Sequence, residues 1–184
     1  VECIWQGVFV DAELGVMGVP DLLVRSDCLN RIVPGTIGDE AHQPAPLLSL
    51  PYHYRAIDVK FTTLDLAASG EVGNGGSQEF YKAQLALYTW MLAKLQGFDP
   101  KRAYLLGRGW KTSKERSSSA LDKLGAISFP QPQFKAADRD WTQEAFDAIQ
   151  WLKEVRDNGV GWTVAPAPSR PELRPDMSNQ NDAP

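Results

Sequence analysis

The stretch YHYRAIDVKFTTLDL, residues 52–66, constrains the fold most, because its central apolar and charged residues alternate. Alternation of this kind predicts a β-strand whose neighbouring side chains point to opposite faces. Asp58 and Lys60 are therefore predicted to lie side by side on one face. The other face is apolar and is expected to pack against a helix layer; it carries Ile57, Val59 and Phe61. A strand whose charged face is simply solvated is the alternative. A second triplet of this spelling, Asp99-Pro-Lys101, stands where a turn enters a strand and is interpreted as having no function.

Periodicity and turn residues around this strand predict an α/β fold with a mixed sheet. The order β-β-β-α-β-α begins with a hairpin around a glycine-containing turn and includes a long irregular excursion. Ser77 is a candidate N-cap and Gly97 a candidate stop for the first helix. The predicted segments are strands within 4–10 and 16–26, the excursion 26–53, the strand in 52–66, a helix over 77–97, a strand over 102–109 and a helix over 140–157.

Length and composition favour one globular domain over residues 1–164, followed by a Pro-rich polar tail over 165–184. No apolar run is long enough for a membrane span, and no leader pattern is visible. Cys3 and Cys28 show no metal-binding spacing, which favours an intracellular, reducing compartment. A net charge of −4 argues against a protein that binds nucleic acid by its overall charge, without sequence preference. It is compatible with a nuclease that has a local basic patch.

Three further residues join the charged strand in a specific order. Asp21 stands early in an otherwise apolar strand, and Gln84 and Tyr88 are four apart on one face of the predicted helix. Each has a plain structural explanation when taken singly: a strand-edge acid after a proline turn, or a buried amide bonded to backbone. The ordered set of acid, acid-x-Lys and helical Gln/Tyr is much less probable by accident than any one member.

This ordered set resembles the PD-(D/E)XK nuclease superfamily, specifically its RecB-like branch, which includes the RecB nuclease domain and the lambda-exonuclease type. The family pattern GxxD, (D/E)xK and QxxxY corresponds to Gly18-Val-Pro-Asp21, Asp58-Val-Lys60 and Gln84-Leu-Ala-Leu-Tyr88. The segments AYLLGRGWK and ELRPDMSNQNDAP are similar to uncharacterised RecB-like proteins of large DNA viruses. The resemblance implies a restriction-endonuclease-like core, with a mixed central β-sheet flanked by helices.

The resemblance also implies Mg²⁺- or Mn²⁺-dependent hydrolysis of DNA phosphodiester bonds. Asp21 and Asp58 would be side-chain ligands of the metal, and the Val59 carbonyl a third ligand. Mg²⁺ prefers such oxygen ligands and can activate water while neutralising phosphate charge. Lys60 would neutralise charge that develops at the phosphate or orient the attacking water.

The remaining predicted contacts are to nucleic acid. Gln84 would bind the water or a phosphate, and Tyr88 would do the same or pack. A basic patch after the fourth strand is a candidate DNA-backbone contact, with Trp110 near enough to stack on a base; a solvated loop is the alternative. The patch consists of Arg108, Lys111, Lys114 and Arg116. No ATP-binding loop motif occurs, so any ATP-driven step would belong to a partner such as a helicase.

One part of the family pattern has no clear counterpart. Family members usually carry a Glu or His on a helix before the first strand, and this chain begins almost at that strand, with Glu2 as the only early candidate. The helix is therefore expected to be missing. Two alternatives to an active nuclease follow: a catalytically incomplete nucleic-acid-binding or scaffolding domain with the same fold, and an unrelated α/β domain. His42 and His53 are given little weight as catalytic groups or ligands.

Overall fold

The computed structural model describes residues 1–74, 78–130, 139–165 and 167–174. The chain divides into two compact units, Val1–Phe146 and Asp147–Pro184. Ser77, the predicted N-cap, and residues 175–184 of the predicted tail lie outside the described residues. Within the described ranges, no helix combines the length and the apolar character that crossing a bilayer requires.

Eight strands and three helices make up the regular structure of the described residues. The strands are β1 Cys3–Trp5, β2 Phe9–Asp11, β3 Val16–Gly18, β4 Leu22–Arg25, β5 Tyr54–Asp65, β6 Arg102–Lys111, β7 Arg116–Ser117 and β8 Gly125–Ser128. The helices are α1 Leu29–Ile32, α2 Gln78–Gln96 and α3 Trp141–Asn158. Short 3-10 turns connect several of them. The predicted class, an α/β protein with a mixed central sheet flanked by helices, is confirmed at this level.

The main sheet has the strand order β1-β4-β5-β6-β7, and β8 also pairs with β6. β5 and β6 run parallel, with Ile57 opposite Tyr104, whereas the other pairs are antiparallel. Parallel neighbours require a crossover connection, and α2 supplies it between these two strands. The sequence did not predict β8.

Helix α2 covers one face of this sheet. Leu85 and Leu92 of the helix share an apolar cluster with Ala56 of β5 and Leu105 of β6. The helix ends before Gly97, whose φ of +69° is the left-handed conformation that commonly terminates helices. Leu95, on the last turn of the helix, is 52% exposed and does not join this cluster.

The face of β5 that was expected to pack against a helix layer is covered only at its start. Ile57 joins a second apolar cluster, built with Cys28, Leu29 and other residues of the excursion 26–53. Val59 and Phe61 are 44% and 88% exposed. The prediction for these two residues was therefore wrong, because α2 packs against the face that carries Asp58 and Lys60, and the excursion does not reach past Ile57.

The predicted hairpin forms, but each of its long strands is broken. β2 and β3 pair as a separate two-stranded sheet, whereas β1 and β4 pair within the main sheet. The breaks fall at residues 6–8 and 19–21. Pro20 lies in the second break and precedes Asp21, so the chain re-enters the main sheet at this aspartate.

A buried polar network ties the start of β5 to the excursion. Arg55 and His53 are completely buried, and Arg55 Nε donates to His53 Nε2 at 2.8 Å. Glu40 Oε2 accepts a hydrogen bond from Arg55 at 2.5 Å, and His53 Nδ1 lies 2.9 Å from the Gln43 carbonyl. These contacts give His53 a structural role.

The second unit has its own aromatic contact. The Arg170 guanidinium lies 5.4 Å from the ring centroid of Trp151 and 5.2 Å from that of Trp162, and it forms an ion pair with Glu154. The described part of the predicted tail therefore contains a packed arginine, followed by a 3-10 turn at Pro171–Leu173.

Candidate active site

Asp21 lies where β4 stops pairing with β5. The first residue of β4, Leu22, is opposite Ile57, and no further β4 residue continues along β5. The Asp21 side chain takes over as the partner, because its Oδ2 accepts a hydrogen bond of 2.7 Å from the Val59 N–H. The N–H and C=O of one strand residue point to the same side. The Val59 carbonyl therefore points to the side of β5 where Asp21 lies.

Asp58 is nearly buried on the face of β5 that α2 covers. It is 3% exposed, and its Oδ2 forms an ion pair with the Lys60 ammonium. Burial raises the pKa of Asp58, and the adjacent Asp21 carboxyl raises that pKa further by hydrogen bonding and charge repulsion, against the opposing effect of Lys60. Two carboxyl groups thus share a site in which the ionised form of one is disfavoured.

Lys60 links the strand to helix α2. Its ammonium donates to Gln84 Oε1 at 3.2 Å, and Gln84 Nε2 donates to the Tyr88 hydroxyl at 2.9 Å. The second bond orients the Gln84 amide so that its oxygen faces the lysine. The Lys60 ammonium also lies 4.7 Å from the ring centroid of Tyr81, a cation–π contact that the sequence analysis missed. Tyr81 is three residues before Gln84, so helical spacing could have indicated it.

Gly18 packs directly against Tyr88. A Cβ atom at Gly18 would lie 2.5 Å from Tyr88 Cε1 and 2.8 Å from Cδ1, closer than side-chain atoms approach one another. The glycine of the GxxD pattern therefore leaves room for the tyrosine of the QxxxY pattern. Neither residue's spacing in the sequence indicates this contact.

The structure does not bring the predicted basic patch into this cluster. Lys60 is opposite Gly107 on β6, so the next residue, Arg108, points to the other face of the sheet. The Arg108 guanidinium lies 5.3 Å from the ring centroid of Phe61. Phe61 is the residue after Lys60 on β5, so its side chain lies on the same face as Arg108. Lys111 forms an ion pair with Asp65 at 2.9 Å, and Lys114 is exposed in the turn that follows β6.

Trp110 is not available for stacking on a base. It is 8% exposed and belongs to the main apolar cluster, and the Lys123 ammonium lies 4.5 Å from its ring centroid. The expectation that Trp110 would stack on nucleic acid was therefore wrong.

The oxygen atoms at the aspartate pair fit a hard divalent cation. Asp58 Oδ2 is buried, and its nearest charged partner is the Lys60 ammonium, with which it forms an ion pair. The described residues contain no group of three or more His, Cys, Asp or Glu that could hold a metal ion. Two carboxylates and a backbone carbonyl resemble the partly hydrated sites of Mg²⁺ more than the closed nitrogen and sulfur sites of zinc.

Glu2 does not complete this set. β1 runs antiparallel to β4, with Cys3 opposite Val24, so Glu2 lies toward the Arg25 end of β4 while Asp21 precedes its other end. The Glu2 carboxylate forms an ion pair of 2.6 Å with Arg31, which lowers the pKa of Glu2. The carboxylate is thus engaged away from the aspartate pair.

Comparison of the chain with protein-family models finds no match, and comparison with curated proteins finds no significant match.

Proposed function

We propose that this protein is a divalent-metal-dependent nuclease of the PD-(D/E)XK, RecB-like type that hydrolyses phosphodiester bonds in DNA. The observation that carries the proposal is the convergence of Asp58 and Lys60 of β5 with Asp21, which precedes β4; Gln84 and Tyr88 of α2 lie beside them. A solvated strand face would not require an aspartate that is 3% exposed and placed beside a second carboxyl group and an ammonium.

Asp21 and Asp58 would hold Mg²⁺ or Mn²⁺ together with the Val59 carbonyl. When bound, the ion would supply an activated water and neutralise charge on the phosphate. The protein's own contribution is the Lys60 ammonium, which would stabilise negative charge developing on a phosphate oxygen. Gln84 holds this ammonium through its oxygen, and Tyr88 fixes the orientation of the Gln84 amide.

A second candidate function is binding of nucleic acid without turnover. It is favoured by one observation: the described residues provide only two acidic side chains for the ion, and Glu2 is engaged by Arg31. A metal with fewer protein ligands would bind more weakly, so a chain with this site could keep nucleic-acid affinity while cleaving slowly.

The test is incubation of the chain with linear and circular DNA in Mg²⁺ or Mn²⁺. Lys60→Ala should reduce cleavage by roughly 100- to 1000-fold, the usual cost of removing one charge-stabilising donor. The matched control is Lys101→Ala, since Asp99-Pro-Lys101 has the same spelling but forms an exposed ion pair between its own acid and lysine. Equal activity of the Lys60 and Lys101 variants would refute the assignment. DNA binding without cleavage by the native chain would favour the second function.

A further inference from the structure

An exposed aromatic ring lies one residue beyond Lys60. Phe61 is 88% exposed, and alternation along β5 turns its ring to the side of the strand opposite Lys60. The Arg108 guanidinium is 5.3 Å from the ring centroid. An open phenylalanine ring beside a guanidinium is a surface on which a flat aromatic group can stack.

A polar, cationic cleft adjoins this ring. Its volume is about 560 Å³, and its lining consists of Thr63, Arg108, Gly109, Arg116, Ser117 and Ser118. Within the described residues, neither Arg108 nor Arg116 forms an ion pair, whereas the nearby Lys111 is paired with Asp65. Guanidinium groups match phosphate geometry, so this arginine pair suits a phosphate ligand.

Strand β4 does not pair with β5 beside the ring. Pairing with β4 ends at Ile57, and at Val59 the partner of the backbone N–H is the Asp21 side chain. A flexible chain lying on Phe61 can therefore pass over this edge to the face that carries Asp58 and Lys60. Val59, which is 44% exposed, lies on the same side as the Phe61 ring and extends the apolar contact along that route.

We propose that Phe61, Arg108 and Arg116 form a binding site for single-stranded DNA. One base stacks on the Phe61 ring, and the adjacent phosphates contact the two arginines. The bases of a duplex are already stacked on one another and present only their edges, so a stacking ring selects an unpaired strand. This inference rests on the proposed function in one respect: the bound DNA strand would lead to Lys60. Binding of the DNA itself requires no hydrolysis.

The test measures binding of a labelled oligodeoxythymidylate to the full chain by fluorescence anisotropy in EDTA, where hydrolysis is blocked. Phe61→Ala should weaken binding by roughly tenfold, as expected for loss of one stacked base, and Phe61→Trp should restore it. The matched control is Phe80→Ala, because Phe80 is similarly exposed, at 76%, on the first turn of α2. Arg108→Gln and Arg116→Gln should each reduce the slope of log affinity against log salt by about 0.7.

Several results would overturn the inference. These are unchanged binding in Phe61→Ala, equal losses in the Phe61 and Phe80 variants, or tighter binding of a blunt duplex or of an RNA of the same sequence. Self-association that Phe61→Ala abolishes would show that a second copy of the chain occupies this face instead. Phe61-dependent binding of single-stranded DNA by a chain that cleaves nothing would support the inference while refuting the proposed nuclease activity.

Discussion

Replacing Gly18 by alanine tests whether the hairpin and helix α2 hold the candidate site together. The added methyl would lie 2.5 Å and 2.8 Å from two carbons of the Tyr88 ring, whereas carbon atoms pack at about 3.5–4.0 Å. The ring or the hairpin must therefore move by about 1 Å. Tyr88 is buried, so the displacement should cost about 1–3 kcal/mol of unfolding free energy, the usual range for overpacking.

The assay is urea unfolding of a double-mutant cycle that combines Gly18→Ala with Tyr88→Ala. If the clash is with the ring, Gly18→Ala should cost less than about 0.5 kcal/mol once the ring is absent. Gly161→Ala serves as the control, because nothing lies within 4 Å of a Cβ placed there and the residue lies in the 3-10 turn Gly159–Gly161. An equal cost of Gly18→Ala in both backgrounds would refute the reasoning.

Two further predictions concern pH. Burial lowers the pKa of His53 to about 4, below its ordinary 6.5, so stability present above pH 6.5 should be lost as pH falls toward 4. The loss of unfolding free energy should total about 3 kcal/mol. It should disappear in His53→Gln, which keeps an acceptor for Arg55. If the urea midpoint of that variant depends on pH as it does in the native chain, the reasoning is contradicted. For Asp58 the sign is opposite: its pKa is raised above 3.8, so its ionisation destabilises the fold as pH rises through that value. Asp58→Asn should raise the urea midpoint at pH 7 and have no such effect below pH 4, while a lower midpoint at pH 7 would show that the ion pair with Lys60 dominates.

Local patterns predicted several features because they depend on short-range geometry. Alternation placed Asp58 and Lys60 on one face, and helical spacing placed Gln84 and Tyr88 together; the ion pair and the hydrogen bonds among them agree with both. Gly97 ends the helix as predicted, since only a residue tolerant of positive φ suits that position. These are relations between residues within one strand or one helix.

Long-range packing decided the features that the sequence left open or made misleading. Which face of β5 α2 covers depends on the crossover and on the apolar partners available, so Phe61 is exposed although its strand pattern indicated core. Trp110 is buried where a solvent-facing aromatic was expected, because it joins the main apolar cluster beyond the register shift of β5 and β6.

By itself, the sequence determined strand β5, helix α2 and the order in which acid, lysine, amide and hydroxyl follow one another. The face on which each of these side chains lies within its own strand or helix is fixed by the period of that element. Only the tertiary structure decided that Asp21 meets Val59 where β4 ends, that Gly18 makes room for Tyr88, and that Arg108 lies across the sheet from Lys60. The physical reason is that these contacts depend on strand register and on the volume between packed layers, which no local period specifies.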